Sequence, residues 1–396
     1  MSVDMVNGVG VCSTCGKHDA ALTCSRCSSA FYCDSSCQRT HWPAHKEPCK
    51  AVVKAVAMSG CDKIATSPVT TNPGSADYVA ALSRGDAGDA AGALVLYERA
   101  AEVGHAVAAL RAGTAHATGE GTVVDAVEAV RWYTRAAVAN NAEAQLALGL
   151  CLLSGEGVET DARAATTWLA RAAAAGSDAA SLQLGLCYDA GTGVVADKVK
   201  AAKWFERAAE GSDADTVADA HFQLASLLDL GEGGVELDEA RAYRLYTLAA
   251  KAGHEDAMFN LGVCYLHGEG VEAQPDEAVK WWRRAADNGH DDAMYNVGIC
   301  YDNGTGVIAD KIEALKWYKQ AARKGENMEA LFAIGLCYEE GSGVSANAKE
   351  AAHWFGKATA LGHAEAADRL AELKRESAGA GAATPRFPRP SAADLD

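Results

Sequence analysis

Positive charge is scarce in this sequence: 36 lysines and arginines stand against 53 aspartates and glutamates, a formal net charge of -17 at pH 7. Non-specific attraction to nucleic acid or to an anionic membrane needs a basic face, so neither partner is expected. The sequence also lacks a run of about 18 apolar residues, and residues 1–11 lack the basic start and apolar core of a signal peptide. We therefore expect protein partners, no membrane association, and a cytoplasmic or nuclear location.

Cysteine, in contrast, is abundant, with 13 in the chain. Without an export signal these residues are expected in a reducing compartment, where clustered cysteines bind metal more often than they form disulfides. Seven of them fall within residues 12–49, and with one histidine they form four pairs whose members are separated by two or three residues. The pairs are Cys12 and Cys15, Cys24 and Cys27, Cys33 and Cys37, and His45 and Cys49.

These eight ligands suffice for two tetrahedral zinc sites, so we expect two Zn²⁺ per chain. A zinc ion with four protein ligands has no open position for a catalytic water, which makes both sites structural. A segment this short has too little apolar core to fold unaided, and removing the metal should unfold it. A loop of free thiols is the alternative, but random cysteines would not give four correctly spaced pairs.

The residues around the ligands carry a family resemblance. Phe31 and Tyr32 precede Cys33, Gln38 follows Cys37, and Trp42 stands three residues before His45. With every ligand position filled, residues 12–49 resemble the MYND-type zinc finger. The resemblance implies cross-braced zinc binding, with Cys12, Cys15, Cys33 and Cys37 on one ion and Cys24, Cys27, His45 and Cys49 on the other.

One position departs from that family. His41 stands where the family more often has an acid, and it offers a competing ligand. Its spacing from Cys49 fits the pattern poorly, so we interpret it as a solvated side chain. The resemblance also implies that Gln38 and Trp42 help to bind short, often proline-containing peptides. The alternative, that Trp42 only packs the small core of the finger, stays open.

Two segments of the chain have the composition of linkers. Residues 50–75 are expected to form a short helix and then a flexible tether rich in serine, threonine and proline. Cys61, within the tether, is interpreted as an unpaired surface thiol. Residues 376–396, which contain three prolines, are expected to be a disordered tail.

Between these segments a Gly-x-Gly landmark recurs with spacings of 36, 36, 40, 37, 36 and 37 residues. A period near 36 is typical of a solenoid built from helical hairpins. A partial unit from Ala76 onward is interpreted as an N-terminal cap, and seven full units follow, each with one helix before the landmark and one after it. The landmarks begin at Gly119, Gly155, Gly191, Gly231, Gly268, Gly304 and Gly341.

Each full unit repeats residues with a predictable role. Four residues after the loop stands a side chain able to cap the second helix, and eleven residues after it stands a large apolar residue that we expect to hold successive hairpins together. A glycine inside the first helix, replaced by Ala225 in the fourth unit, indicates close helix crossing, because helical glycine otherwise costs about 1 kcal/mol. The caps are Asp125, Asp161, Asp197, Asp238, Asp310 and Asn347, with Gln274 as the exception. The large residues are Trp132, Trp168, Trp204, Leu245, Trp281, Trp317 and Trp354.

The repeated pattern Leu-Gly-x-x-Tyr, Gly-x-Gly-Val, then Trp and Ala-Ala resembles Sel-one-like repeats, relatives of the tetratricopeptide class, over residues 76–375. The predicted fold class is therefore all-α: a right-handed helical-hairpin solenoid preceded by a small two-zinc cross-braced finger domain. The fourth unit departs from the pattern, with added residues in 213–219 and a second glycine at Gly234.

Some repeated residues could suggest chemistry. A cysteine that recurs once per unit, as in Cys151, Cys187, Cys264, Cys300 and Cys337, is interpreted as a packing residue rather than a metal or redox site. His105, His254, His290 and His363 follow helix-ending glycines and are interpreted as turn residues. The Gly-x-Gly loop lacks the preceding strand of a nucleotide-binding fingerprint, so phosphate binding is not expected.

The function predicted from the sequence is that of a monomeric, non-enzymatic adaptor. The finger would capture a peptide and the solenoid would hold a second protein. The alternative is a component of a ubiquitin-ligase or protein quality-control complex, because both modules occur in such machinery. MYND fingers also accompany methyltransferase domains, but the repeats occupy the rest of the chain.

Overall fold

The structure is a computed structural model that describes residues 22–23, 31–32, 74–324 and 327–377. The predicted zinc ligands, the linker up to residue 73 and the tail from residue 378 lie outside these residues. The chain divides into two compact units, Met1–Asp197 and Lys198–Asp396, and we describe each by itself.

The first unit contains one short ladder and seven described helices. Strand β1 (Leu22–Thr23) pairs antiparallel with β2 (Phe31–Tyr32), so that Leu22 lies opposite Tyr32 and Thr23 opposite Phe31. The helices are α1 Ser75–Asp86, α2 Ala90–Glu102, α3 Ala106–Thr118, α4 Ala126–Val138, α5 Ala142–Ser154, α6 Ala162–Ala174 and α7 Asp178–Ala190.

The second unit is helical throughout its described part. Its helices are α8 Lys198–Ala209, α9 Ala214–Leu230, α10 Glu239–Ala252, α11 Glu255–His267, α12 Pro275–Asp287, α13 Asp291–Asn303, α14 Lys311–Ala321, α15 Met328–Glu340, α16 Ala348–Ala360 and α17 Ala364–Ser377, with a 3-10 turn at Ala322–Lys324. The helical-hairpin architecture predicted from the repeat is confirmed.

The predicted caps define where the second helices begin. The carboxylate of Asp125 accepts hydrogen bonds from the backbone N–H groups of Val127 and Glu128, and Asp161, Asp238, Asp310 and Asn347 cap in the same way. Gln274 makes no side-chain cap bond, and Pro275 occupies the first turn instead. A proline there forgoes an N–H that has no helical partner in any case.

The four histidines have a role that the turn interpretation did not include. Each imidazole Nδ1 accepts a hydrogen bond from the backbone N–H three residues later, at 3.1 to 3.3 Å, so each histidine is a helix N-cap. Each ring also stacks on an aromatic ring of the preceding unit. The ring pairs are His105 on Tyr78, His254 on Phe222, His290 on Phe259 and His363 on Phe332, with centroids 4.3 to 4.6 Å apart.

The residue that fills the centre of each hairpin comes one position after the large residue that the sequence analysis singled out. Among the seven large residues predicted to anchor the hairpins, only Trp132 is buried, at 4% exposure, and the others are half-buried. The buried position comes twelve residues after the loop. It lies on the same helix face as the small buried residues that pack against the first helix. In α4 that face contains Ala129, Tyr133 and Ala137. The buried residues are Tyr133, Leu169, Phe205, Tyr246, Trp282, Tyr318 and Phe355, at 0 to 7% exposure.

The helical glycines confirm the predicted close crossing. A Cβ placed on Gly298 would lie 2.5 Å from Cε1 of Tyr318, and one on Gly149 would lie 2.9 Å from the Leu169 side chain. Similar overlaps occur between Gly335 and Phe355. Each of these glycines therefore leaves a notch that the buried residue of the second helix fills.

The second glycine of the loop joins one unit to the unit before it. A Cβ on Gly270 would overlap the backbone carbonyl of Glu239, the first residue of α10, and Gly306 meets Pro275 at the start of α12 in the same way. Since both glycines also have positive φ, 66° and 68°, no other residue fits this joint without strain.

Candidate functional site

The predicted zinc ligands cannot be located, since all eight lie outside the described residues. The structure does describe the short ladder that lies among them in the sequence, and its register bears on how the ligands could be divided between two zinc ions. Thr23 and Tyr32 lie at opposite ends of the antiparallel ladder. In the sequence, Cys24 follows Thr23 and Cys33 follows Tyr32. The chain therefore leaves the ladder towards these two cysteines at different ends.

Within the described ranges no group of three or more histidine, cysteine or acidic side chains could hold a metal ion. The repeat cysteines are separate from one another and packed: Cys187, Cys264, Cys300 and Cys337 are buried, and Cys151 is half-buried. Burial raises the pKa of the Cys264 and Cys300 thiols to about 12. A thiol with so high a pKa is a poor nucleophile and metal ligand, which agrees with the packing interpretation.

Three of the half-buried tryptophans lie close to a cation, a feature that the sequence analysis did not predict. The guanidinium of Arg171 lies 4.5 Å from the ring centroid of Trp168, Arg284 lies 4.4 Å from Trp281, and the Lys357 amine lies 4.3 Å from Trp354. In each pair the cation follows the tryptophan by three residues, which places the two on one helix face. This spacing was visible in the sequence.

Acidic residues are most concentrated in one stretch of the fourth unit. Residues 208–240 contain nine acidic residues and no lysine or arginine. They are Glu210, Asp213, Asp215, Asp219, Asp229, Glu232, Glu236, Asp238 and Glu239. This stretch comprises α9, its flanking turns and the loop of the fourth unit, so the acidic excess of the chain has a local maximum there.

A cavity of about 360 Å³ opens beside that loop. It lies between α8, α9, the loop before α10 and the first turn of α10. Leu224 and Leu228 of α9, at 2% and 6% exposure, form its floor. An ion pair of Glu206 with Arg241, 2.6 Å between Oε1 and Nη2, stands at its edge.

None of the helices in the described part of the chain is both long enough and apolar enough to cross a membrane.

Comparison with known families identifies both modules. The model of the MYND finger matches residues 12–49. The model of the Sel1 repeat matches eight segments, at residues 81–105, 106–141, 142–177, 178–213, 218–254, 255–290, 291–326 and 329–363. The short first segment and the seven that follow agree with the partial unit and seven full units predicted from the sequence.

Two solved structures share the repeat fold. A protective antigen of uropathogenic Escherichia coli strains, which displays an SLR fold, is 28% identical and superposes with a TM-score of 0.68, covering 77% of this chain and 65% of that one. A Sel1 repeat protein from Oxalobacter formigenes is 29% identical with a TM-score of 0.56, covering 63% of this chain and 96% of that one.

Two curated relatives match over a short segment. The N-lysine methyltransferase SMYD2 of Rattus norvegicus is 44% identical over 43 residues, which is 11% of this chain and 10% of that protein. Egl nine homolog 1 of Homo sapiens is 49% identical over 39 residues, 10% of this chain and 9% of that protein. The chain thus spans about a tenth of the curated relatives it matches.

Proposed function

Because the chain belongs to the Sel1-repeat proteins and carries a MYND finger ahead of its repeats, we propose that it is a non-enzymatic adaptor whose finger captures a peptide and whose repeat region holds a second protein. The observation that carries this proposal is the presence of two interaction modules on one chain, over residues 12–49 and 81–363. The similarity to methyltransferase SMYD2 extends over only 43 residues, so it gives no support to methyltransferase activity in this chain.

The donor set of the finger fits zinc. Thiolates and one imidazole in pairs two or three residues apart are the ligands that structural zinc sites use, and seven cysteines with His45 supply two complete sets. We propose that one ion is held by Cys12, Cys15, Cys33 and Cys37 and the other by Cys24, Cys27, His45 and Cys49. The departure of the chain from opposite ends of the β1–β2 ladder towards Cys24 and Cys33 supports assigning these two to different ions.

In this proposal zinc supplies folding energy and no chemistry. Four protein ligands on each ion leave no position for a substrate or a reactive water. The ions would order the segment that contains Gln38 and Trp42, and these two side chains would contact a short peptide, including peptides that contain proline. The first described helix begins at Ser75 and the last ends at Ser377, so the predicted tether and tail are one and two residues shorter than expected. Residues 50–74 would tether the finger to the repeats, and residues 378–396 would form a tail. A monomeric chain in the cytoplasm or nucleus suffices for this role.

Zinc analysis of the purified full chain tests the metal assignment. We expect two zinc ions per chain. The single variants Cys33→Ser and Cys24→Ser, each of which removes one ligand from a different proposed site, should bind fewer. Far-UV circular dichroism serves as the control, because the repeat helices should persist in both variants. Native protein without zinc would refute the assignment.

Cross-linking mass spectrometry of the full chain in cells tests the adaptor role. The expected result is two separable sets of partners, one lost in Trp42→Ala and Cys33→Ser and one retained. Loss of both partner sets in these variants would contradict an adaptor with two independent sites. Ubiquitin transfer by the purified chain with ubiquitin-activating and ubiquitin-conjugating enzymes would contradict a non-enzymatic one.

A further inference from the structure

The loop of the fourth unit is one residue longer than the loops of the other six full units. Eight residues, Gly231 to Asp238, separate α9 from α10, whereas seven residues separate the two helices elsewhere. The added residue gives two consecutive glycines, Gly233 and Gly234, with φ of 61° and 88°. The local backbone is therefore remodelled at this one unit.

The longer loop loses the joint that the neighbouring units have. In the fifth, sixth and seventh units the second glycine rests on the backbone of the preceding second helix, as Gly343 does on Lys311. In the fourth unit a Cβ on Gly233 would instead meet side-chain carbons of Lys198, the nearest at 2.8 Å, and Gly234 has only Val199 within contact, at 3.4 Å. Side chains thus separate this loop from α8.

The separation accounts for the cavity. Its floor is Leu224 and Leu228, its sides include Val199 and Ala202 of α8, and Val235 and Leu237 of the loop form the opposite side. A volume of about 360 Å³ is at the lower end of the range for ligand pockets. It accommodates one bulky apolar side chain with part of its backbone.

The charges at the edge indicate what would flank that side chain. Arg241 is already paired with Glu206, which leaves Lys203 as the other cation of the lining, while Glu236 on the loop is exposed. The loop itself, residues 231–238, adds two more acidic residues and no lysine or arginine. An acidic surface attracts and orients a basic partner.

We propose that this cavity binds a short segment of a partner protein in which one bulky apolar side chain, such as Leu or Phe, is flanked by arginine or lysine. The inference rests on the proposed function, since it assigns a site and a chemistry to the partner of the repeat region. The apolar side chain fills the space over Leu224 and Leu228, and the flanking cations face Glu236 and its acidic neighbours.

A panel of dodecapeptides tests the proposal with the full chain. The central residue is varied, and it is flanked on each side by two arginines in one series and by two glutamates in the other. Fluorescence anisotropy should show at least tenfold tighter binding for central Leu or Phe than for Ser in the arginine series, and no binding in the glutamate series. Equal binding of all arginine peptides, or preference for the glutamate series, would overturn the proposal.

Three variants locate the site. Deleting Gly234 restores the seven-residue loop and should reduce binding of the Leu peptide at least tenfold. Glu236→Lys should weaken it several-fold, while Glu272→Lys, the matching position of the fifth unit with its seven-residue loop, should leave it unchanged. Circular dichroism checks folding of the deletion, and Glu236→Lys tests the site even if the deletion unfolds.

The outcomes separate this inference from the adaptor proposal. Binding that survives both the deletion and Glu236→Lys would place the peptide elsewhere and refute the inference. If the peptides fail to bind while cross-linked partners of the repeat region persist, the cavity assignment is wrong and the adaptor role stands.

Discussion

Replacement of Gly335 by alanine tests the notch that holds a hairpin together. An added Cβ would overlap Cδ1 and Cε1 of the Phe355 ring and lie 3.1 Å from its Cζ. Phe355 is fully buried, so the ring cannot swing into solvent to make room. Overpacking a core costs about 1 to 3 kcal/mol. Because the added Cβ would overlap two ring atoms, we expect a cost near the upper end of that range. Since removing a helical glycine returns about 1 kcal/mol, we expect a net loss of about 2 kcal/mol.

Gly356 provides the matched control in the same hairpin. It also lies inside a helix, but an added Cβ would have Leu370 as its nearest neighbour, at 4.0 Å. Gly356→Ala should therefore raise stability by up to about 1 kcal/mol. In thermal denaturation followed by far-UV circular dichroism, Gly335→Ala should lower Tm by about 4 to 8 °C for a unit of this size. If Gly335→Ala and Gly356→Ala stabilised the protein equally, Gly335 would not be needed to make room for Phe355. Adding Phe355→Leu should relieve part of the Gly335→Ala loss.

Three further predictions concern side chains of the second unit. Cys264 and Cys300, whose pKa values burial raises to about 12, should resist iodoacetamide in the folded chain and react only after denaturation, as mass spectrometry can show; rapid native labelling would contradict their burial. Arg369→Met should destabilise the C-terminal helix by about 3 kcal/mol, because it leaves the carboxylate of Glu339, 2.8 Å from the Arg369 guanidinium, without this partner. Burial raises the pKa of Glu339 and Arg369 lowers it, so the contribution of this group to stability falls as pH rises through its folded pKa, and it falls further without Arg369. Urea denaturation should therefore find a larger loss from Arg369→Met near pH 7 than near pH 4, and a loss independent of pH would refute the cause. His290→Ala should lower the free energy of unfolding by about 1 kcal/mol through the lost cap, while His290→Asn, which can still cap the helix, should retain most of that stability in urea denaturation. Equal losses in the two variants would show that ring stacking on the preceding unit dominates.

The sequence predicted the period, the number of units and most helix starts, because a repeat fold is determined by local patterns that recur. Asp125 and Asp310 could be assigned as caps from spacing alone. The glycine register also predicted close crossing, which Gly298 and Tyr318 confirm.

Other features depended on contacts that no single unit of sequence displays. Of two adjacent bulky residues, Trp281 and Trp282, size gave no reason to prefer the second; only the notch at Gly262 decides which one is buried. The sequence pattern did not predict the cap formed by His290, because imidazole is an uncommon helix cap. The extra glycine of the fourth loop could be seen in the sequence. The lost contact with the preceding unit and the cavity could not, because they depend on where α8 begins relative to that loop. For the finger, the ligand assignment stays a prediction.

The joint between neighbouring units consists of main chain on both sides, a glycine of one loop against the first residue of a helix in the unit before. Main-chain atoms are common to all residues, and the helix residue is Ala90, Ala126, Ala162, Glu239, Pro275 or Lys311 in different copies. At this joint, unlike at the histidine–aromatic stacks, neighbouring units therefore need not match each other in side-chain shape. A copy gained or lost by recombination would re-form this contact whatever side chain stands at the helix start, so a change in array length has to be accommodated only by the side-chain contacts between units, such as the histidine–aromatic stacks.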